Sequence, residues 1–150
     1  AVDSTAIWLA TSSVVKELAK LISMLREQGC ASTLMYTSDH GENIFDDHRR
    51  LFLHASPRPS QYDTDVPLIV WTSKTYATQH PIEFRAMLGN RNKGVQSNAS
   101  VFPTLLGLAG IETRARVDSL SLTNPRYRLG TRHYLNDHNH AVPLVMYGIK

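Results

Sequence analysis

Ser32-Thr33-Leu34-Met35-Tyr36-Thr37-Ser38-Asp39-His40-Gly41-Glu42 passes abruptly from an uncharged run into a polar turn. The uncharged residues Ser32–Thr37 suit a short strand in a sheet interior. Open α/β sheets bind their ligands just outside the carboxyl ends of such strands, and Asp39 and His40 fall there. Side chains alternate faces along a strand, but at its end the chain turns, and Gly41 allows backbone angles that other residues resist. Asp39 and His40 can therefore converge on one ion. A carboxylate oxygen and an imidazole nitrogen are ordinary zinc ligands. On spacing alone, a plain charged turn remains the competing reading.

Working outward, Ser12–Gln28 carries Val14, Val15, Leu18, Leu21, Ile22 and Leu25 at three- and four-residue steps, with Lys16, Glu17, Lys20, Arg26 and Glu27 on the wet face. This predicts a helix stopped by Gly29, capped at Ser12 or Ser13 or extended upstream through Asp3–Ala10. Downstream, Asn43–Asp65 is polar, holds Pro57 and Pro59, and reads as a long functional loop with a short helical turn. Val66–Thr72 predicts a second buried strand. A helix is expected over Pro81–Leu88, ended by Gly89. Another is expected over Ala99–Ala109, capped by Ser97-Asn98 and stopped by Gly110. Ile111–Lys150 reads as irregular. This order predicts α/β layering, with both strands central and parallel in one sheet and the Ser12–Gln28 helix on one face.

Composition narrows the classes. One domain of 150 residues, 42% hydrophobic and 19% charged, excludes a disordered chain. No apolar run approaches the ~18 residues of a membrane span. Sixteen Lys+Arg against thirteen Asp+Glu give +3, too mild for a nucleic-acid binder. The single Cys30 permits neither an internal disulfide nor a cysteine zinc site, and reads as a small buried hydrophobe.

Four motifs occur in order: Leu34–Glu42, Phe52-Leu53-His54-Ala55-Ser56-Pro57, Val66–Ser73, and Val101–Ile111. Together they resemble the C-terminal half of the catalytic domain of bacterial phosphoethanolamine transferases, of the alkaline phosphatase and sulfatase superfamily. Arg132–Asn139 is similar to the ending of some members. The resemblance implies a three-layer alkaline-phosphatase-like sheet with helices on both faces, present over 1–150 as a C-terminal portion. It implies zinc or another divalent metal ligated by Asp39 and His40, and a phosphate-binding role for His54, although Ala55 replaces the usual glycine. It further implies an enzyme anchored in the inner membrane of a Gram-negative bacterium through an N-terminal segment, with its catalytic domain in the periplasm. That enzyme moves phosphoethanolamine from a phospholipid to lipid A or a glycan acceptor. The family's threonine nucleophile and its accompanying glutamate lie far upstream. Only 38 residues precede Asp39 here and none matches, so no catalytic nucleophile is assigned in this chain. A sulfatase or phosphodiesterase of the same superfamily, or a catalytically silent binding or structural piece, are the alternatives.

The residues suit phosphoryl transfer, in which catalysis is positioning plus electrostatic stabilisation. A divalent ion neutralises charge on nonbridging oxygens. His54 suits donation to a phosphate oxygen or protonation of a leaving group, and Glu42 suits orienting a ligand or fixing the loop. His48 reads as a solvated loop residue, and His138 and His140 as a surface tail rather than a metal pinch. Arg114, Arg116, Arg126, Arg128 and Arg132 read as solvated surface or a face for anionic head groups. Trp8 and Trp71 read as packing residues.

Overall fold

The structure, a computed structural model, describes residues 4–54, 56–136 and 138–149, with the side chains of residues 4–12, 97 and 98 outside the description. Trp8 packing and the part of the motifs at Ala55 and Asp137 therefore lie outside the described residues. Helix α1 spans Ser4–Glu27, so the upstream extension holds, and Ser12 and Ser13 sit inside the helix rather than capping it. Gly29 ends it at φ +67°, a left-handed angle that glycine takes without strain.

Strands β1 (Thr33–Thr37) and β4 (Leu68–Thr72) form one ladder. The expectation of parallel pairing is corrected here: the two run antiparallel, with Met35 opposite Val70 and Tyr36 opposite Ile69. Among the described residues each strand pairs only with the other, so neither is central. One face of the ladder carries Thr37, Leu68, Val70 and Thr72 towards a cavity of about 920 Å³ that Phe84 and Met87 also line. On the other face Arg26 of α1 lies 5.8 Å over the Trp71 ring, so helices flank both faces. Val15 and Met24 of α1 nevertheless stay exposed, and among its described side chains only Leu18, Ile22 and Leu25 are half-buried. The apolar stripe in use is narrower than the periodicity suggested.

The predicted 43–65 loop contains a hairpin, β2 (Asn43–Ile44) with β3 (Phe52–Leu53), and a capped turn of helix, α2 (Gln61–Thr64). Ser73 joins β4 to α3 (Lys74–Gln79): its hydroxyl accepts from Tyr76 N and donates to Cys30 O at 3.0 Å, while Ser32 N also donates to it. Cys30 itself is exposed, not buried, because it sits in the turn after Gly29. Helix α4 (Pro81–Asn90) runs through Gly89 instead of ending there. This lets the buried Asn90 amide donate to Leu122 O at 3.0 Å and Asn124 O at 2.9 Å. Helix α5 (Ser97–Leu108) takes Gln96, not Ser97 or Asn98, as its N-cap, and Gly110 follows at φ +65°. Its Thr104 hydroxyl accepts from Leu122 N, tying the helix to the 3₁₀ turn Asp118–Leu120 and its sequel. The C-terminal stretch is less irregular than expected: β5 (His133–Leu135) and β6 (Ala141–Pro143) form an antiparallel hairpin.

Candidate metal centre

The end of β1 builds the site. After Thr37 the Ser38 hydroxyl donates to His40 O at 2.7 Å and the Asp39 carboxylate accepts from His40 N at 3.1 Å, which curls the chain. His40 Nδ1 lies 2.9 Å from Gly41 O. A carbonyl only accepts, so Nδ1 carries the hydrogen and Nε2 presents its lone pair, 3.7 Å from Asp39 Oδ2. That hydrogen bond is the main reason the His40 pKa stands above its ordinary 6.5, with Asp39 and Glu42 adding attraction against the cost of burial. Asp39 is held below the ordinary carboxylate value, chiefly by its backbone hydrogen bond and then by His40.

Glu42 receives the second histidine. His54 Nδ1 donates to Glu42 Oε1 at 2.7 Å, which leaves His54 Nε2 open, and the His40 and His54 rings lie tilted by 32° with centroids 3.8 Å apart. His40, Glu42 and His54 each offer a ligand atom, all within 4.8 Å of one another. Two imidazoles and a carboxylate fit a divalent transition metal such as zinc. The fold brings three of the four residues singled out from the sequence together, His40, Glu42 and His54, while Asp39 stands beside His40 with its side chain 87% exposed and lies outside that group. The 43–65 segment also lies at the β1 end that bears Asp39, as expected, because Gly41 N donates to Asp63 O at 3.0 Å.

Asp39 and His40 also line one end of the cavity, with Arg132 and Arg91 on its wall. Arg132 is not plain solvated surface: it pairs with Asp65 at 2.8 Å and its side chain is 19% exposed. Arg116 likewise pairs with Asp118. His48, His138 and His140 are exposed and stand apart from the cluster, in keeping with the surface reading. Sequence reasoning missed Asn43, Ser60 and Asp63, buried beneath the loop. The Ser60-x-x-Asp63 spacing of a capping box was their available signal.

Helices set against short β ladders, with a histidine- and carboxylate-rich strand end, place the chain in the α/β class expected from the sequence. Residues 11–111 match the Sulfatase family model, and the chain belongs to that family. The phosphoethanolamine transferase EptA of Escherichia coli K12 is 30% identical over 99 residues, covering 63% of this chain and 18% of that protein. The C-terminal periplasmic domain of EptC from Escherichia coli, solved in complex with Zn, superposes with a TM-score of 0.71 at 23% identity, over 85% of this chain and 36% of that one. The corresponding domain of EptC from Campylobacter jejuni gives a TM-score of 0.63 at 26% identity, over 75% and 35%. The chain spans under a fifth of the length of the curated relatives it matches. Among the described residues no helix is long and apolar enough to cross a membrane.

Proposed function

We propose that this chain is the C-terminal portion of the catalytic domain of a metal-dependent phosphoethanolamine transferase. In this reading the enzyme takes phosphoethanolamine from a phospholipid and gives it to lipid A or another envelope acceptor. It is anchored in the inner membrane of a Gram-negative bacterium and faces the periplasm. The observation that carries the reading is the convergence of His40, Glu42 and His54 at the end of β1, with Asp39 next to His40, in a Sulfatase-family chain. Relatives named as phosphoethanolamine transferases support the substrate class. Asp39 and His40 Nε2 would hold a divalent metal, zinc by analogy with the EptC domain solved with Zn. When bound, the ion supplies positive charge against the nonbridging phosphate oxygens. His54, oriented by Glu42, contacts a phosphate oxygen. The nucleophile is a threonine outside these residues. The Sulfatase family match favours a second reading, cleavage of sulfate or phosphate esters by the same centre.

The test uses the full-length protein in a membrane, with mass spectrometry of the acceptor lipid and a parallel aryl sulfate assay. Phosphoethanolamine on the acceptor, reduced in His54→Ala, is the expected result. Aryl sulfate cleavage without transfer would replace this reading with the second one.

A further inference from the structure

Beneath the site lies a buried polar cluster that touches the chain one residue away from each of His40, Glu42 and His54. Asn43, Ser60 and Asp63 are 2%, 1% and 6% exposed. Asn43 follows Glu42 directly. Its Nδ2 donates to Leu53 O at 2.9 Å, and Leu53 precedes His54. The same Nδ2 donates to Asp63 Oδ2 at 3.2 Å, using its second hydrogen. Asp63 O in turn accepts from Gly41 N, and Gly41 follows His40. Ser60 closes the cluster: its hydroxyl donates to Asn43 Oδ1, and its N–H donates to Asp63 Oδ1 at 2.6 Å. Both polar ends of the Asn43 amide are thus used, and aspartate in its place would have no hydrogen to give Leu53 O.

Two geometric features add to this. Leu53 sits at φ +65°, an angle costly for a branched side chain, and the Asn43 bond to its carbonyl holds it there. A Cβ on Gly41 would run into Tyr62 O, so the metal loop lies directly against the backbone of α2. A capping box on a four-residue helix has no binding role by itself. Here it fixes Asp63, which fixes Gly41.

We infer that Asn43, Ser60 and Asp63 are positioning residues that set the separation of His40, Glu42 and His54. The functional weight of that separation rests on the reading proposed above. The coupling itself is a property of the fold, so it is tested without metal.

The experiment is NMR on the isotope-labelled full-length protein in detergent, metal-free, wild type against Asn43→Asp, Ser60→Ala and Ser60→Thr. One readout is the cross-ring NOE between His40 and His54, and the other is hydrogen exchange of the Gly41 amide, with the β1 and β4 ladder amides as control. Asn43→Asp and Ser60→Ala should lose the NOE and speed Gly41 exchange at least ~10-fold while the ladder amides stay within ~3-fold, the behaviour of a local opening. Ser60→Thr keeps a hydroxyl and should match wild type. The inference is overturned if both disruptive variants keep the NOE and slow Gly41 exchange. It is equally overturned if the ladder loses protection in the same proportion, or if Ser60→Thr behaves as Ser60→Ala. Failure of the chain to bind zinc would count against the metal reading only, since neither readout uses metal.

Discussion

His54 Nδ1 donates to Glu42 Oε1 at 2.7 Å across twelve residues of chain, and this one bond turns a hairpin histidine towards a strand-end loop. Both side chains are over 40% exposed, so the pair adds little to folding. Its effect is on orientation. Glu42→Ala should leave thermal stability within ~1 kcal/mol of wild type, as for an exposed pair. Glu42 Oε1 also lies 3.7 Å from Nδ1 of His40, a proposed ligand, so in the full-length protein the change should weaken zinc binding by about 10–100-fold, the usual cost of losing a group that holds a ligand in place. Calorimetric zinc titration beside a thermal melt separates the two effects.

Gly41→Ala acts sterically. The added methyl meets Tyr62 O, a backbone atom that cannot swing aside, so the loop or α2 must move. Overpacking of this kind costs about 1–3 kcal/mol. Denaturant unfolding should show that loss, and the His40–His54 ring contact should go with it.

The raised His40 pKa has a definite sign. Protonated His40 favours the folded loop, and that contribution is complete below the ordinary 6.5 and lost as pH rises through the folded value. An NMR titration of the metal-free chain should therefore place the His40 midpoint above 6.5. A metal must displace that proton, so apparent zinc affinity should climb as pH rises through the same midpoint. A midpoint at or below 6.5 would count against the Gly41 carbonyl contact.

Asn90→Ala tests the other end of the fold. It strands the buried Leu122 carbonyl, while the half-buried Asn124 carbonyl keeps the Tyr127 N–H. Leaving a buried carbonyl unpaired costs about 1–3 kcal/mol, enough to lower the melting temperature by several degrees.

Much of the site was legible because its signals are local. The uncharged run into Asp39-His40-Gly41-Glu42 reads directly as a strand and its functional end. The hairpin that delivers His54 was not legible. Its turn passes through Phe45 at φ +68° and Arg50 at φ +51°, and neither residue type announces a left-handed angle as Gly or Asn does. The direction of β1–β4 pairing was hidden for a related reason. Two uncharged runs separated by a long segment show alternation and burial but carry no mark of relative direction. Asn43, Ser60 and Asp63 look like ordinary loop polar residues until the fold buries them together. The start of helix α1 stayed open between a cap at Ser12 or Ser13 and an upstream extension, because those serines resemble caps, and the helix continues through them.

In the proposed function Asp39 and His40 hold the metal. Zinc-edge anomalous diffraction from crystals of the full-length protein measures this directly. The expected result is a peak about 2.0–2.2 Å from an Asp39 carboxylate oxygen and from His40 Nε2, absent in Asp39→Ala crystals that keep the β1–β4 ladder. A bound zinc ligated elsewhere, with Asp39 and His40 out of reach, would contradict it.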